Sequence, residues 1–288
     1  MSHIPKINII VDKNADIDRF HRFLKHPEYL GKRFLILQFY PKLASLLTES
    51  TDEQRVVRDF VLKMYERHSP TIKKIILTVK KEIDQSEPVF AALGKYMDFP
   101  YLKDQTYIAI PTFLPFSPLM DDIFFFTIAS LQIKPFRAVS TAIHEISHFI
   151  FFKQLKQWSD VSGRTLNHPA THYFKEALAA AVMNQPEFKS FFNYDVMLNM
   201  KNYPGNKELQ QLFISDKNRQ IVNLVSFFRK NIVIYKDGSY RDRLYKLLNT
   251  FFKNQDKLSV KWNLWNEHLI HPENESLLFQ YKKPIELV

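Results

Sequence analysis

Cysteine is absent from the 288 residues. That excludes disulfides, thiol nucleophiles and thiolate-bound metal, and leaves imidazole and carboxylate as the ligands of any metal centre. Glycine is nearly as scarce, with five residues and no two close together, which removes the glycine-rich loops that cradle phosphate in nucleotide-binding folds. Long hydrophobic runs are also lacking. The longest, Ile123 to Ile133, is broken by polar residues and falls far short of a bilayer span. Met1 to Asn14 is too short and too polar for a secretory signal. The expectation is a soluble protein of the cytoplasm.

What the chain does hold is aromatic and basic. It has 26 Phe, and 45% of its residues are hydrophobic and 15% aromatic, the composition of a well-packed globular protein. Its length allows one large domain or two small ones. A net charge of +10 invites a nucleic-acid reading, yet the lysines are scattered as singlets and pairs such as Lys73-Lys74 and Lys80-Lys81. Those positions fit the polar faces of amphipathic helices. No nucleic-acid motif accompanies them and the aromatics follow core spacing, so no specific nucleic-acid partner is expected.

The most informative stretch is His144-Glu145-Ile146-Ser147-His148. One helical turn separates the two imidazoles, so both leave the same helix face and can grip one metal ion. Glu145 falls between them, placed to take a proton from a metal-bound water. Pro135 suits a first helical turn, where its missing N–H costs nothing. Val139, Ile143, Ile146 and Ile150 then recur with the helical period, and Phe149, Phe151 and Phe152 extend apolar character around the cylinder. A buried pair of histidines with a glutamate needs partners to offset desolvation, and a metal supplies them. The alternative is a core helix whose His and Glu hydrogen-bond each other.

A hydrolytic zinc takes three protein ligands and keeps a fourth position for water. The next helical segment starts at His168-Pro169, passes Thr171, His172, Tyr173 and Glu176, and ends before Pro186. His168 precedes a proline and so falls at the helix boundary, where it would act as a cap. His172 and Glu176 share one face. Glu176 is preferred as third ligand because the small Ala179-Ala180-Ala181 run lets its helix pack closely. His172 stays open as its replacement.

His144-Glu145-x-x-His148 followed by Lys175-Glu176-Ala177-Leu178-Ala179 resembles the gluzincin zinc peptidases. It is closest in style to the aminopeptidase N-type branch, whose third ligand sits in an Asn-Glu-Gly-Phe-Ala-like string. Tyr235-Lys236-Asp237-Gly238 resembles that branch's Tyr-x-Lys-Gly element, with the lysine one place early. The resemblance, over about residues 105 to 250, implies a zincin-like core and one Zn2+ per chain on His144, His148 and Glu176. It further implies Glu145 as general base, Tyr235 as oxyanion donor, and a peptide or protein substrate. Tyr240, Tyr194 and His271 stand behind Tyr235 in that last role. Two departures limit the transfer. No Gly-x-Met-Glu-Asn string is present, so the glutamate that would hold a substrate's free amine is missing. Ala180 stands where the thermolysin-type branch has an aspartate. Zinc hydrolysis transfers; aminopeptidase action does not. The rival readings are a zincin-shaped helical binding protein without catalysis, and a zinc hydrolase of a non-peptide amide or ester.

Along the chain, Ile7 to Val11 reads as a short strand. Asp16–Leu30, Phe34–Leu47, Asp52–Arg67 and Thr71–Ile83 read as helices from their three-to-four apolar spacing. Tyr107–Ile110 and Ile123–Ile128 read as strands joined by a long proline-bearing loop. Zinc peptidases of this kind often carry a strand before the active helix whose free edge pairs with an extended substrate. Residues 123–128 stand in that place, with a plain internal strand as the alternative. Helix returns at about Asn206–Lys230 and at Ser239–Phe252, and an aromatic-rich end holds Trp262, Trp265, His268 and His271, the last two read as packing or capping residues. The expectation is a mostly helical α+β protein. It comprises an N-terminal helical region at 1–100, a catalytic core at 101–255 and a C-terminal segment at 256–288.

Overall fold

The computed structural model describes every residue except 1, 2, 121, 199, 216–218, 234–238 and 288. The described chain is mostly helical with two small mixed sheets, an α+β architecture. Two compact units are formed, one from Pro5–Glu87 and Lys103–Ala142, the other from Met1–Ile4, Pro88–Leu102 and Ile143–Val288. These divisions fall elsewhere than residues 100 and 255. The reason is strand pairing: the N-terminal strand takes the middle strands into its own unit.

The first unit contains β1 (Lys6–Ile9), α1 (Lys13–Lys25), a 3-10 turn (Pro27–Tyr29), α2 (Leu30–Phe39) and α3 (Pro41–Glu49). It continues with α4 (Glu53–Arg67), α5 (Ser69–Asp84), β2 (Thr106–Thr112), β3 (Leu119–Met120) and β4 (Ile123–Thr127). Asp12 and Asp52 cap α1 and α4, each accepting a backbone N–H three residues on, at 2.9 and 3.0 Å. The single helix expected over 34–47 is two helices. Pro41 takes the first turn of α3 and holds Tyr40 at ψ 74°, outside the helical region.

The sheet order is β1-β2-β4-β3, parallel except for the antiparallel β3. Pro111 lies past Ala109, the last β2 residue paired with β1, so its missing N–H removes no rung from that ladder. Of the two readings of residues 123–128, a free edge or an internal strand, the described residues show the internal one. β2 covers one side of β4, and Leu119–Met120 cover part of the other. Beyond β3, the Phe125 N–H donates to the Pro118 carbonyl at 2.8 Å and the Thr127 N–H to Ser117 Oγ at 3.2 Å. An incoming peptide would find those donors taken.

One buried carboxylate organises this unit. Asp16 is 0% exposed and accepts hydrogen bonds from the Thr112 hydroxyl and, at 3.1 Å, from the Phe113 N–H. The Tyr65 hydroxyl lies within reach of both Asp16, at 3.0 Å, and the Pro111 carbonyl, at 2.7 Å. Burial raises the Asp16 carboxyl to about 6, against the opposing pull of its hydrogen bonds, that of Thr112 first. A raised carboxyl contributes stability that is complete below its ordinary value of 3.8 and lost as pH rises through about 6. Asp16→Ala removes the acceptor of two buried donors, each costing ~1–3 kcal/mol when left unmet. Urea denaturation should therefore show a loss of about 3 kcal/mol; an unchanged midpoint would mean those donors find other partners.

The second unit contains α6 (Glu87–Tyr96, from Pro88), α7 (Arg137–Ser162, from Ile143), α8 (His168–Met183), α9 (Pro186–Phe192) and α10 (Tyr194–Leu198). After them come α11 (Lys207–Gln211), β5 (Phe213–Ser215), β6 (Ile221–Asn223), α12 (Leu224–Phe228) and a π turn (Arg229–Val233). Helices α13 (Tyr240–Lys253), α14 (Gln255–Ile270) and α15 (Glu275–Lys282) lead to β7 (Ile285–Glu286). The continuous helix expected over 206–230 is instead two short helices around a strand pair, with Asn223 capping α12 by accepting the Ser226 N–H at 2.8 Å. Helix α8 is the hub, packed by α11, α12, α13 and α14. Every residue from Ala177 to Met183 is 0% exposed, as a helix apolar on all sides requires.

Candidate metal centre

Helix α7 starts at Arg137, two residues beyond Pro135. Phe136 stands at φ 56° before it, and its carbonyl accepts the Ser140 N–H at 2.9 Å. The apolar stripe behaves as its period requires: Val139, Ile143, Ile146 and Ile150 are all 0% exposed. Phe152 departs from the expected apolar wrap and reaches solvent. Helix α8 is capped by Asn167, which accepts the Ala170 N–H at 3.0 Å, and Pro169 occupies its first turn. His168 is therefore not the cap. Its ring packs edge-on against Trp262.

These two helices bring His144, His148 and Glu176 together, all buried, with their ligand atoms within 4.8 Å of one another. His144 Nε2 lies 3.1 Å from Glu176 Oε2, and His148 Nε2 lies 3.3 Å from Glu176 Oε1. Ligand atoms bound at about 2.0–2.2 Å around a tetrahedral zinc stand roughly 3.3–3.6 Å apart, and both His–Glu separations lie close to that range. The 3.1 Å contact of His144 is also a hydrogen bond, as a core cluster of His and Glu would make. His148 is 1% exposed, and the 3.3 Å approach of its Nε2 to Glu176 is its polar contact in the cluster, while its Nδ1 has no hydrogen-bond partner among the described residues. A buried imidazole has lost its hydration, and a cation shared with Glu176 at Nε2 would offset part of that cost.

Electrostatics act differently on the three members of the cluster. Burial, reinforced by the Lys175 ammonium, holds His148 well below the ordinary imidazole range, so its ring is neutral and its lone pair available. For Glu176, burial pushes upward, but Lys175 and the two histidines overcome it and keep the carboxyl well below its usual range. His144 is lowered by burial and raised more by its bond to Glu176, with a net upward shift. Glu145, 5% exposed, sits one residue from His144 in this buried stretch.

His172, the other candidate third ligand, does not join the cluster. Its Nε2 pairs with Glu208, and its ring packs on Trp262. Tyr235 lies outside the described residues. Among its substitutes, the Tyr240 hydroxyl donates to Gln154 Oε1 at 3.3 Å and the buried Tyr194 hydroxyl to the Met183 carbonyl at 2.8 Å. His271 is exposed and pairs with Glu273. His268 packs on Trp265.

Three further side chains meet the cluster, Lys175 from the string already quoted and two, Tyr203 and Asn206, that no motif marks. Lys175 donates to Glu176 Oε1, Asn206 Nδ2 donates to Glu176 Oε2 at 2.9 Å, and the Tyr203 hydroxyl lies 3.2 Å from His144 Nδ1. The only sequence signal for the last two is the Pro204-Gly205 turn between them. Comparison with protein-family models, curated proteins and solved structures finds no match to this chain.

Proposed function

We propose that this chain is a zinc-dependent peptide hydrolase with a gluzincin-like centre, in which His144, His148 and Glu176 hold the metal. The observation that carries the reading is the convergence of His144, His148 and Glu176, all buried, with their ligand atoms within 4.8 Å of one another. A bound zinc supplies Lewis acidity and lowers the pKa of water toward neutrality. Glu145 accepts the proton of the attacking water and returns it to the leaving amine. The buried surroundings strengthen every charge interaction during that transfer.

Tyr235 is the proposed donor to the oxyanion, on the strength of its sequence setting; the engaged hydroxyls of Tyr240 and Tyr194 support it over those two. Tyr235→Phe should lower kcat on the order of a hundredfold with KM nearly unchanged, because the bond matures only as charge develops. A normal kcat in that variant would remove Tyr235 from the role.

The test of the function is hydrolysis itself. Zinc-loaded protein offered mixed peptides and an unfolded protein should cleave them, stop when a chelator is added, and recover with zinc. Cleavage of esters or non-peptide amides alone would move the substrate class. Zinc uptake with no hydrolysis of any kind would favour the binding-protein reading.

A further inference from the structure

Residues 203–208 run antiparallel along one ridge of α8. His172, Glu176, Ala180 and Asn184 follow one another at intervals of four, so they form a single line on that helix. Each meets the passing segment. Asn184 grips the Tyr203 backbone from both sides, its Oδ1 accepting the Tyr203 N–H at 3.0 Å and its Nδ2 donating to the Tyr203 carbonyl at 2.8 Å. Gly205 passes Ala180 so closely that an added Cβ would stand 3.1 Å from the Ala180 Cβ, and its φ of +66° disfavours any other residue. Asn206 bonds Glu176, and Glu208 pairs with His172. From the start of the same segment Tyr203 reaches His144 on the neighbouring helix.

We propose that Tyr203 and Asn206 are positioning residues of the metal centre, fixing His144 and Glu176 in their ligating orientations. The inference rests on the zinc reading above. An imidazole that offers its Nε2 lone pair carries its proton on Nδ1, and the Tyr203 oxygen is there to accept it. That bond sets both the tautomer and the rotation of the ring. Asn206 does the equivalent for the carboxylate, since its amide takes one lone pair of Oε2 and leaves the others directed at the cluster. Clamped by Asn184 and the glycine turn, the segment delivers both groups without relying on a flexible loop.

The experiment is zinc affinity measured against a competing chelating dye on metal-stripped full-length chain, with the cobalt absorption spectrum as a local readout. Tyr203→Phe and Asn206→Ala should each weaken zinc by about 10–100-fold and alter the cobalt spectrum. Tyr194→Phe, which loses a buried hydroxyl that donates to the Met183 carbonyl, should do neither. The melting temperature of the metal-free Tyr203→Phe chain should stay near that of the parent, because the ring remains to pack. Parent chain that binds zinc beside Tyr203→Phe and Asn206→Ala chains that bind it equally tightly, with unchanged cobalt spectra, would overturn the positioning role alone. Parent chain that takes no zinc would overturn this role and the zinc reading together.

Discussion

Glu145→Gln should leave zinc content and folding unchanged while removing nearly all hydrolysis. The amide keeps the shape of the carboxylate but cannot accept a proton from water, so metal binding and chemistry separate in this one variant. General-base participation is worth about 10²–10⁴ in rate, and a loss in that range with KM little changed is the expected signature. Glu145 is buried in the same stretch as His144 and His148, and the amide fills the same volume there. Stability should not fall. Turnover within a few-fold of the parent would show that another group takes the proton.

Glu176→Ala carries the second large effect, on metal rather than rate. The variant removes a ligand and also strands its neighbours, because Lys175 and Asn206 both donate to that carboxylate. Losing a partner behind a ligand weakens metal by about 10–100-fold, so losing the ligand itself should exceed that range. His172→Ala is the matched comparison, four residues earlier on the same helix and paired with Glu208 instead. It should cost a few-fold at most. Equilibrium dialysis against zinc reads both; the opposite ranking would transfer the third ligand to His172.

Much of this site was legible in the sequence because its determinants are local. His144 and His148 sit one turn apart beside a stripe of helical period, and a stripe of four residues over three turns leaves little choice of structure. Glu176 was reached by the same logic, from the alanines that follow it. Tyr203 and Asn206 were not legible, since they lie in an irregular stretch whose partners, His144 and Glu176, are 59 and 30 residues away. No periodicity reports such a contact. The fold divides the same way. Long helices such as α4, α5 and α13 fall close to their expected spans, whereas β5 and β6, three residues each, are too short to express an alternation and vanish into an apparent helix. Helices α2 and α3 share one apolar period, and Pro41 alone marks the break between them. The covered edge of β4 depends on Ser117 and Pro118 folding back, which loop composition alone does not encode.

The most direct test is the metal content of the purified, full-length chain. After gentle purification without chelators, elemental analysis should find about one zinc per chain, and stripped protein should take up one equivalent when zinc is returned. Protein that arrives free of metal and ignores added zinc, cobalt and other divalent ions would contradict the account at its centre.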